Sequence, residues 1–171
     1  MFSFTKRGWV FLAVLAVVCA GFFAGCDLDP GESAKSVIPM PSELEGTWRS
    51  TFVEIYVITP DEFFSQYEND GIVSTSYAGV IKNIREDGTG AGYITIQYTE
   101  CPDSAAIGKY YVIHYKGLTS TYAEFAGAYL ASDPGFDNWG AGGRIDQADA
   151  EASYTKENGA YSWYSACEKQ L

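Results

Sequence analysis

The 171-residue chain has a single histidine, His114, so a nucleophile–imidazole–carboxylate triad would have to use it. It falls inside the run Tyr111-Val112-Ile113-His114-Tyr115, on the side opposite Tyr111, Ile113 and Tyr115. That phase reads as an outward strand histidine, exposed or satisfied by its neighbours, rather than a base in a cleft. Paired carboxylates hydrolyse glycosides when held at a fixed separation. Glu86, Asp87, Asp133 and Asp137 instead fall in turn-rich stretches, and no motif places two acids together. Glu54 and Glu124 differ, because both lie inside strand-like runs, where an inward carboxylate would need a partner. No enzymatic activity and no cofactor is expected from these residues.

The four cysteines divide by position. Cys19 lies in an apolar N-terminal run, and Cys26 ends that run. Cys101 and Cys167 remain for the rest of the chain. Two such residues pair in an oxidising compartment if their geometry allows, and stay as free thiols if it does not. Two Cys and one His at scattered positions lack zinc spacing, so no metal site is expected.

Aromatic residues make up 16% of the chain, with 13 Tyr and 4 Trp, which suits half-buried strands. Trp48, Tyr77, Tyr111, Tyr129 and Trp163 fall on several strand-like runs. If they converge on an enclosed interior they line a site for a flat or apolar ligand, and otherwise they fill the core. Tyr93 falls on the minority face of its run.

The elements that would position these residues are short strands and turns. Strand-like runs cover Gly46 to Thr51, Glu54 to Thr59, Glu62 to Tyr67, Tyr77 to Arg85, Tyr93 to Glu100, Lys109 to Lys116 and Tyr122 to Ala131, with a last strand within Gly159 to Cys167. Pro60-Asp61, Asn69-Asp70-Gly71 and Asp87-Gly88-Thr89-Gly90 are turn signals. Alternation is clearest where Ile94, Ile96 and Tyr98 oppose Thr95, Gln97 and Thr99, which predicts one buried and one wet face. Asp146 with Asp149 three residues on caps one short helix running to about Tyr154. Ser132 to Gly143, with Pro134, Phe136 and Trp139, reads as a loop. Its aromatics would cover a barrel mouth or plug a core. Eight antiparallel strands and one helix between the last two predict an all-β up-and-down barrel. At that strand number the interior is filled by side chains or holds one small ligand.

The net charge is −11. Residues 1–25 hold Lys6 and Arg7 and no acid, so without them 22 acids face nine bases. That balance excludes nucleic acid as a partner and argues against a polybasic membrane patch. Met1 to Arg7 is short and positive, and Gly8 to Gly25 is uncharged, which is the pattern of an export signal. The stretch ends in Phe23-Ala24-Gly25-Cys26, which resembles the lipobox of bacterial lipoproteins, with Phe23 in place of the usual Leu. The resemblance implies cleavage before Cys26, acylation of Cys26, attachment to a membrane through that lipid and a place in the cell envelope. An uncleaved anchor is the alternative. Residues 26–42, with Pro30, Gly31, Pro39 and Pro41, read as a flexible tether, and residues 43–171 as the folded domain.

Within that domain Glu45-Gly46-Thr47-Trp48 resembles the Gly-x-Trp start of lipocalins, where the Trp plugs the closed end. Tyr77-Ala78-Gly79, the segment Gly108 to Tyr115, Leu118-Thr119-Ser120 and Thr155-Lys156-Glu157-Asn158-Gly159 resemble, in that order, a lipocalin-like group of bacterial lipoproteins of spirochaete type. The resemblance implies a barrel that binds a small apolar ligand. The alternative is a filled barrel that acts as an envelope interaction or inhibitor module on a protein partner. Fold likeness alone does not choose between them.

Overall fold

Strand pairing in the chain is fixed by local turns and by one long-range closure. A computed structural model describes residues 38–131 and 142–171. Cys26 and everything before it, and the loop aromatics Phe136 and Trp139, lie outside the described residues. The strands are β1 (Gly46–Ser50), β2 (Glu54–Ile58), β3 (Glu62–Asn69), β4 (Ile72–Glu86), β5 (Gly92–Glu100), β6 (Tyr110–Lys116), β7 (Tyr122–Gly127) and β8 (Ser165–Gln170). A short helix, α1 (Gln147–Ser153), lies between β7 and β8. Each strand pairs antiparallel with the next, and β1 pairs with β8, so the sheet closes as an up-and-down barrel.

The β3–β4 turn shows how sequence sets register. Asp70 and Gly71 hold φ of 51° and 78° between paired Asn69 and Ile72. Two positive φ values in a two-residue loop match the right-handed twist of the strands. β4 is 15 residues long and starts five residues earlier than the sequence suggests. Its extra segment, with Ile72 68% exposed, pairs only with β3 and carries the hairpin past the barrel rim. Exposed apolar residues there gave no inward–outward alternation to read. Register shifts in β4 between Ala78 and Gly79 and between Ile81 and Asn83 bend the strand round the barrel. Gly79 sits at one of them, where a Cβ would approach the Gln97 carbonyl oxygen to 2.6 Å.

The last strand also differs. Residues 159–164 are not strand, and β8 begins at Ser165. Its register is set by β1, with Ser50 opposite Cys167 and Thr47 opposite Gln170. β7 ends at Gly127, and the chain then leaves the barrel wall as the Tyr129 N–H donates to the Ala160 carbonyl. The helix is capped as expected, with the Asp146 carboxylate accepting from the Asp149 N–H at 3.1 Å.

α1 and the segment after it lie across the outer face of β5 and β6. Thr95, expected on a wet face, and its neighbours Val112 and His114 are buried as a result. These two strands therefore have a dry face on each side. Inside the barrel, Trp48 is fully buried beside Leu44 and Phe125, and its indole N–H donates to the Leu44 carbonyl at 2.9 Å. Its ring meets Phe125 edge-on at 5.6 Å, and the Lys169 ammonium lies 5.1 Å from its centroid. This plug seals the end of the barrel where β1 begins.

Trp48→Ala would empty a fully buried part of the core. The expected loss is about 3–5 kcal/mol in urea unfolding, typical of a buried Trp removed without collapse. A loss under about 1 kcal/mol would show that the plug does not carry the closed end.

Candidate functional site

Alternate residues of all eight strands point inward, and above the Trp48 plug they do not fill the space. A cavity of about 660 Å³ opens at the end opposite Trp48. Tyr56, Tyr77, Tyr98 and Tyr111 form its wall. Tyr98 and Tyr111 stack at 5.3 Å between centroids, and Tyr77 meets each of them edge-on at 5.7 and 5.6 Å. Tyr56 packs over Phe125 at 5.1 Å and joins this wall to the plug. The Tyr111 hydroxyl donates to the Ala128 carbonyl at 2.8 Å. A Cβ on Gly127 would come within 2.5 Å of that hydroxyl, so the missing side chain makes room for the ring.

Burial pushes the Tyr56, Tyr77, Tyr98 and Tyr111 phenols above their ordinary values. They are neutral at physiological pH and present ring faces and hydroxyl dipoles. Mutual proximity adds to burial at Tyr98 and Tyr111. Glu54, partly buried, also lines the cavity, and the Ser165 hydroxyl donates to its carboxylate. The β1–β2 turn sets its position. Ser50 Oγ accepts the Phe52 and Glu54 N–H groups, both at 3.1 Å, while the Val53 carbonyl accepts from the Glu68 N–H. Val53 at the mouth is held at φ 90°, costly for a β-branched residue.

The predicted residues fall in different places. Tyr77 and Tyr111 line the cavity. Trp48 lies below it, as the plug. Trp163 is 82% exposed and outside the barrel, because residues 159–164 cross the outer wall rather than continue β8. Tyr129 is 40% exposed and beyond the end of β7. Tyr56 and Tyr98 were not singled out, although the alternation Ile94, Ile96, Tyr98 already put Tyr98 with the inner residues. Of the two strand carboxylates, Glu54 points inward, and Glu124 pairs with Lys116 at 3.1 Å on the outer face. Cys101 and Cys167 are free thiols. Cys101 is at the cavity mouth just past β5, and Cys167 faces inward from β8, three strands away. Burial, with the Glu54 charge, pushes the Cys167 thiol up to about 12, so it stays protonated.

His114 faces outward, as read, but is 1% exposed beneath the segment after α1. Its Nδ1 lies 2.9 Å from the Tyr164 hydroxyl and its Nε2 3.1 Å from Asp87 Oδ2. The Lys156 ammonium reaches the same carboxylate at 2.5 Å. Tyr93 and Tyr161 enclose the ring at 4.7 and 5.3 Å. The phenol–imidazole–carboxylate order has the form of a proton relay, yet burial pushes the Tyr164 phenol up, the reverse of an activated nucleophile. Its evident work is to hold the C-terminal segment against the barrel. Among the described residues no group of His, Cys, Asp and Glu is placed to hold a metal, and no helix is long and apolar enough to cross a membrane.

Compared with models of protein families, with curated proteins and with solved structures, the chain matches none. The closed barrel and its cavity therefore carry the functional reading on their own geometry.

The His114 cluster makes stability pH-dependent. Burial pulls the imidazole below its ordinary value of 6.5, against the opposing pull of Asp87. Between the folded and unfolded values the unfolded chain binds a proton that the native state refuses. Stability is thus full above 6.5 and falls as pH drops below it. Asp87, held low by its hydrogen bond to Lys156 and then by His114, adds a loss of the same sign at lower pH. Urea unfolding should show His114→Gln less stable than wild type by about 1–3 kcal/mol at pH 7.5, with a shallower decline towards pH 5.5. Equal slopes would remove His114 as the source.

Proposed function

We propose that the protein is a lipid-anchored lipoprotein of the cell envelope whose barrel binds a small, largely apolar ligand in the cavity at its open end. The observation that carries the ligand reading is the unfilled interior. A barrel that served only as a scaffold would pack its eight strands' inward side chains to the density of other protein interiors. Here a cavity of about 660 Å³, lined by five tyrosines, runs from the interior out to Val53 and Tyr67 at the open rim. That volume lies within the range of small-molecule sites, about 300–1,000 Å³, and the lining has their character of aromatic walls with few polar groups. The plugged end gives the cavity a floor, so a ligand enters and leaves by one mouth. The anchor reading rests on Lys6, Arg7, the uncharged run to Gly25 and Cys26. Each buried acyl CH₂ contributes about 0.8 kcal/mol, so two or three chains on one cysteine hold a protein on a membrane.

The full chain, expressed in a bacterial host and purified under native conditions, should carry a co-purifying small molecule detectable by mass spectrometry, or gain thermal stability from members of a panel of apolar compounds. Ser65→Phe, which would project a ring between Tyr56 and Tyr77, should abolish that gain while leaving the barrel folded by circular dichroism. No bound molecule and no stabilisation from any compound would sink the ligand reading.

For the anchor, metabolic labelling with palmitate in the same host should mark the wild-type chain in the membrane fraction. Cys26→Ser should lose the label. A labelled Cys26→Ser chain would overturn Cys26 as the acylated residue.

A further inference from the structure

We propose that the ligand taken by the cavity is cationic, an amine or ammonium group on a flat apolar body, with the positive charge held by Glu54. This inference rests on the reading of the cavity as a ligand site and adds the ligand's charge.

Among the described residues that line the cavity, Glu54 is the only carboxylate, and there is no Lys, Arg or His. The nearest arginine on the adjacent strand, Arg49, is turned to the outer face and bound to Glu68 at 2.6 Å. Among the described residues the hydrogen bond to the Glu54 side chain comes from the Ser165 hydroxyl. A carboxylate offers about four lone-pair sites, so one hydroxyl leaves most of its capacity open to the cavity. Withdrawing a carboxylate from water costs free energy unless a partner offsets it. An ammonium entering the cavity is such a partner.

The walls favour the same charge. Tyr56, Tyr77, Tyr98 and Tyr111 line the cavity, and a cation that reaches the face of such a ring within about 6 Å of its centroid is attracted by the ring's negative quadrupole. The negative charge is felt across the cavity, since Glu54 raises the Tyr56 and Tyr77 phenols and the Cys167 thiol from three different strands. An anionic ligand meets the opposite field. A fatty acid would place its carboxylate either beside Glu54 or among rings that repel it, with no lining cation to receive it.

The test uses three soluble indoles of one shape. Tryptamine is protonated at pH 7, tryptophol is its neutral hydroxyl counterpart and indole-3-acetate is an anion. Isothermal titration of the full chain at pH 7 should show one tryptamine site, bound about tenfold or more tighter than tryptophol, with indole-3-acetate weakest. Glu54→Gln, which keeps an acceptor for Ser165, should bring tryptamine to within about twofold of tryptophol and leave tryptophol unchanged. Glu124→Gln, on the outer face, should keep the preference and so exclude general attraction to an acidic protein.

Equal binding of tryptamine and tryptophol by wild type would overturn the charge inference and leave the ligand reading standing. So would tighter binding of indole-3-acetate, or a preference that survives in Glu54→Gln. These wild-type comparisons decide the matter even if the variant does not fold. Binding of none of the three, together with no stabilisation across the apolar panel, would overturn both readings.

Discussion

Four residue pairs between β1 and β8, from Thr47 opposite Gln170 to Ser50 opposite Cys167, turn a ribbon of hairpins into a barrel. Without them the inward residues of all eight strands would form one apolar sheet face with nothing opposite. With them Phe125 on β7 reaches Trp48 on β1 and Tyr56 on β2, and Ser165 on β8 reaches Glu54. Both the sealed floor and the polar spot in the wall are made across this seam. Closure also removes the two exposed edges that an open sheet would present.

A second layer reinforces the wall on one side only. α1 and residues 154–164 cover β5 and β6 and reach β4, where Asn83 donates to Glu151 at 3.0 Å, and His114 is bound between Asp87 and Tyr164. The two strands beneath it pair with each other without a register shift, and they carry Tyr98 and Tyr111. The other side of the mouth, formed by the β1–β2 turn and the β3–β4 hairpin, has no such cover among the described residues. The tyrosines on the covered side therefore face a thinner wall that carries Glu54, Tyr67 and Thr75. A ligand would be oriented by the first and admitted past the second.

What the sequence revealed was local. Trp48 after Gly46-Thr47, the Asp70-Gly71 turn, the alternation through Ile94, Ile96 and Tyr98 and the Asp146 cap each depend on neighbours within a few residues, and each has the expected place. The misplaced residues depend on partners far along the chain. Whether Trp163 points in or out is decided by where β8 meets β1, and nothing near Trp163 encodes that. The same holds for Tyr129, where β7 ends because the chain turns to meet Ala160. His114 was read on the correct face, but its burial depends on a segment 40–50 residues later crossing that face. Glu54 was visible as an acid in a strand. Only the register of β2 with β1 and β3 made it an interior group.

The seam has a consequence in time. Thr47 and Gln170 lie roughly 120 residues apart, so the contact that completes the barrel is among the most non-local the chain makes. The other seven pairings are between consecutive strands, six of them joined by short connections, and can form beforehand. Until that contact forms, the first and last strands of the sheet offer bare backbone to any other strand nearby. Copies crowded together in that state would be prone to zip together, β8 of one onto β1 of the next. Delivering each chain separately, and keeping it apart until its own ends meet, is a demand this topology places on the machinery that handles it.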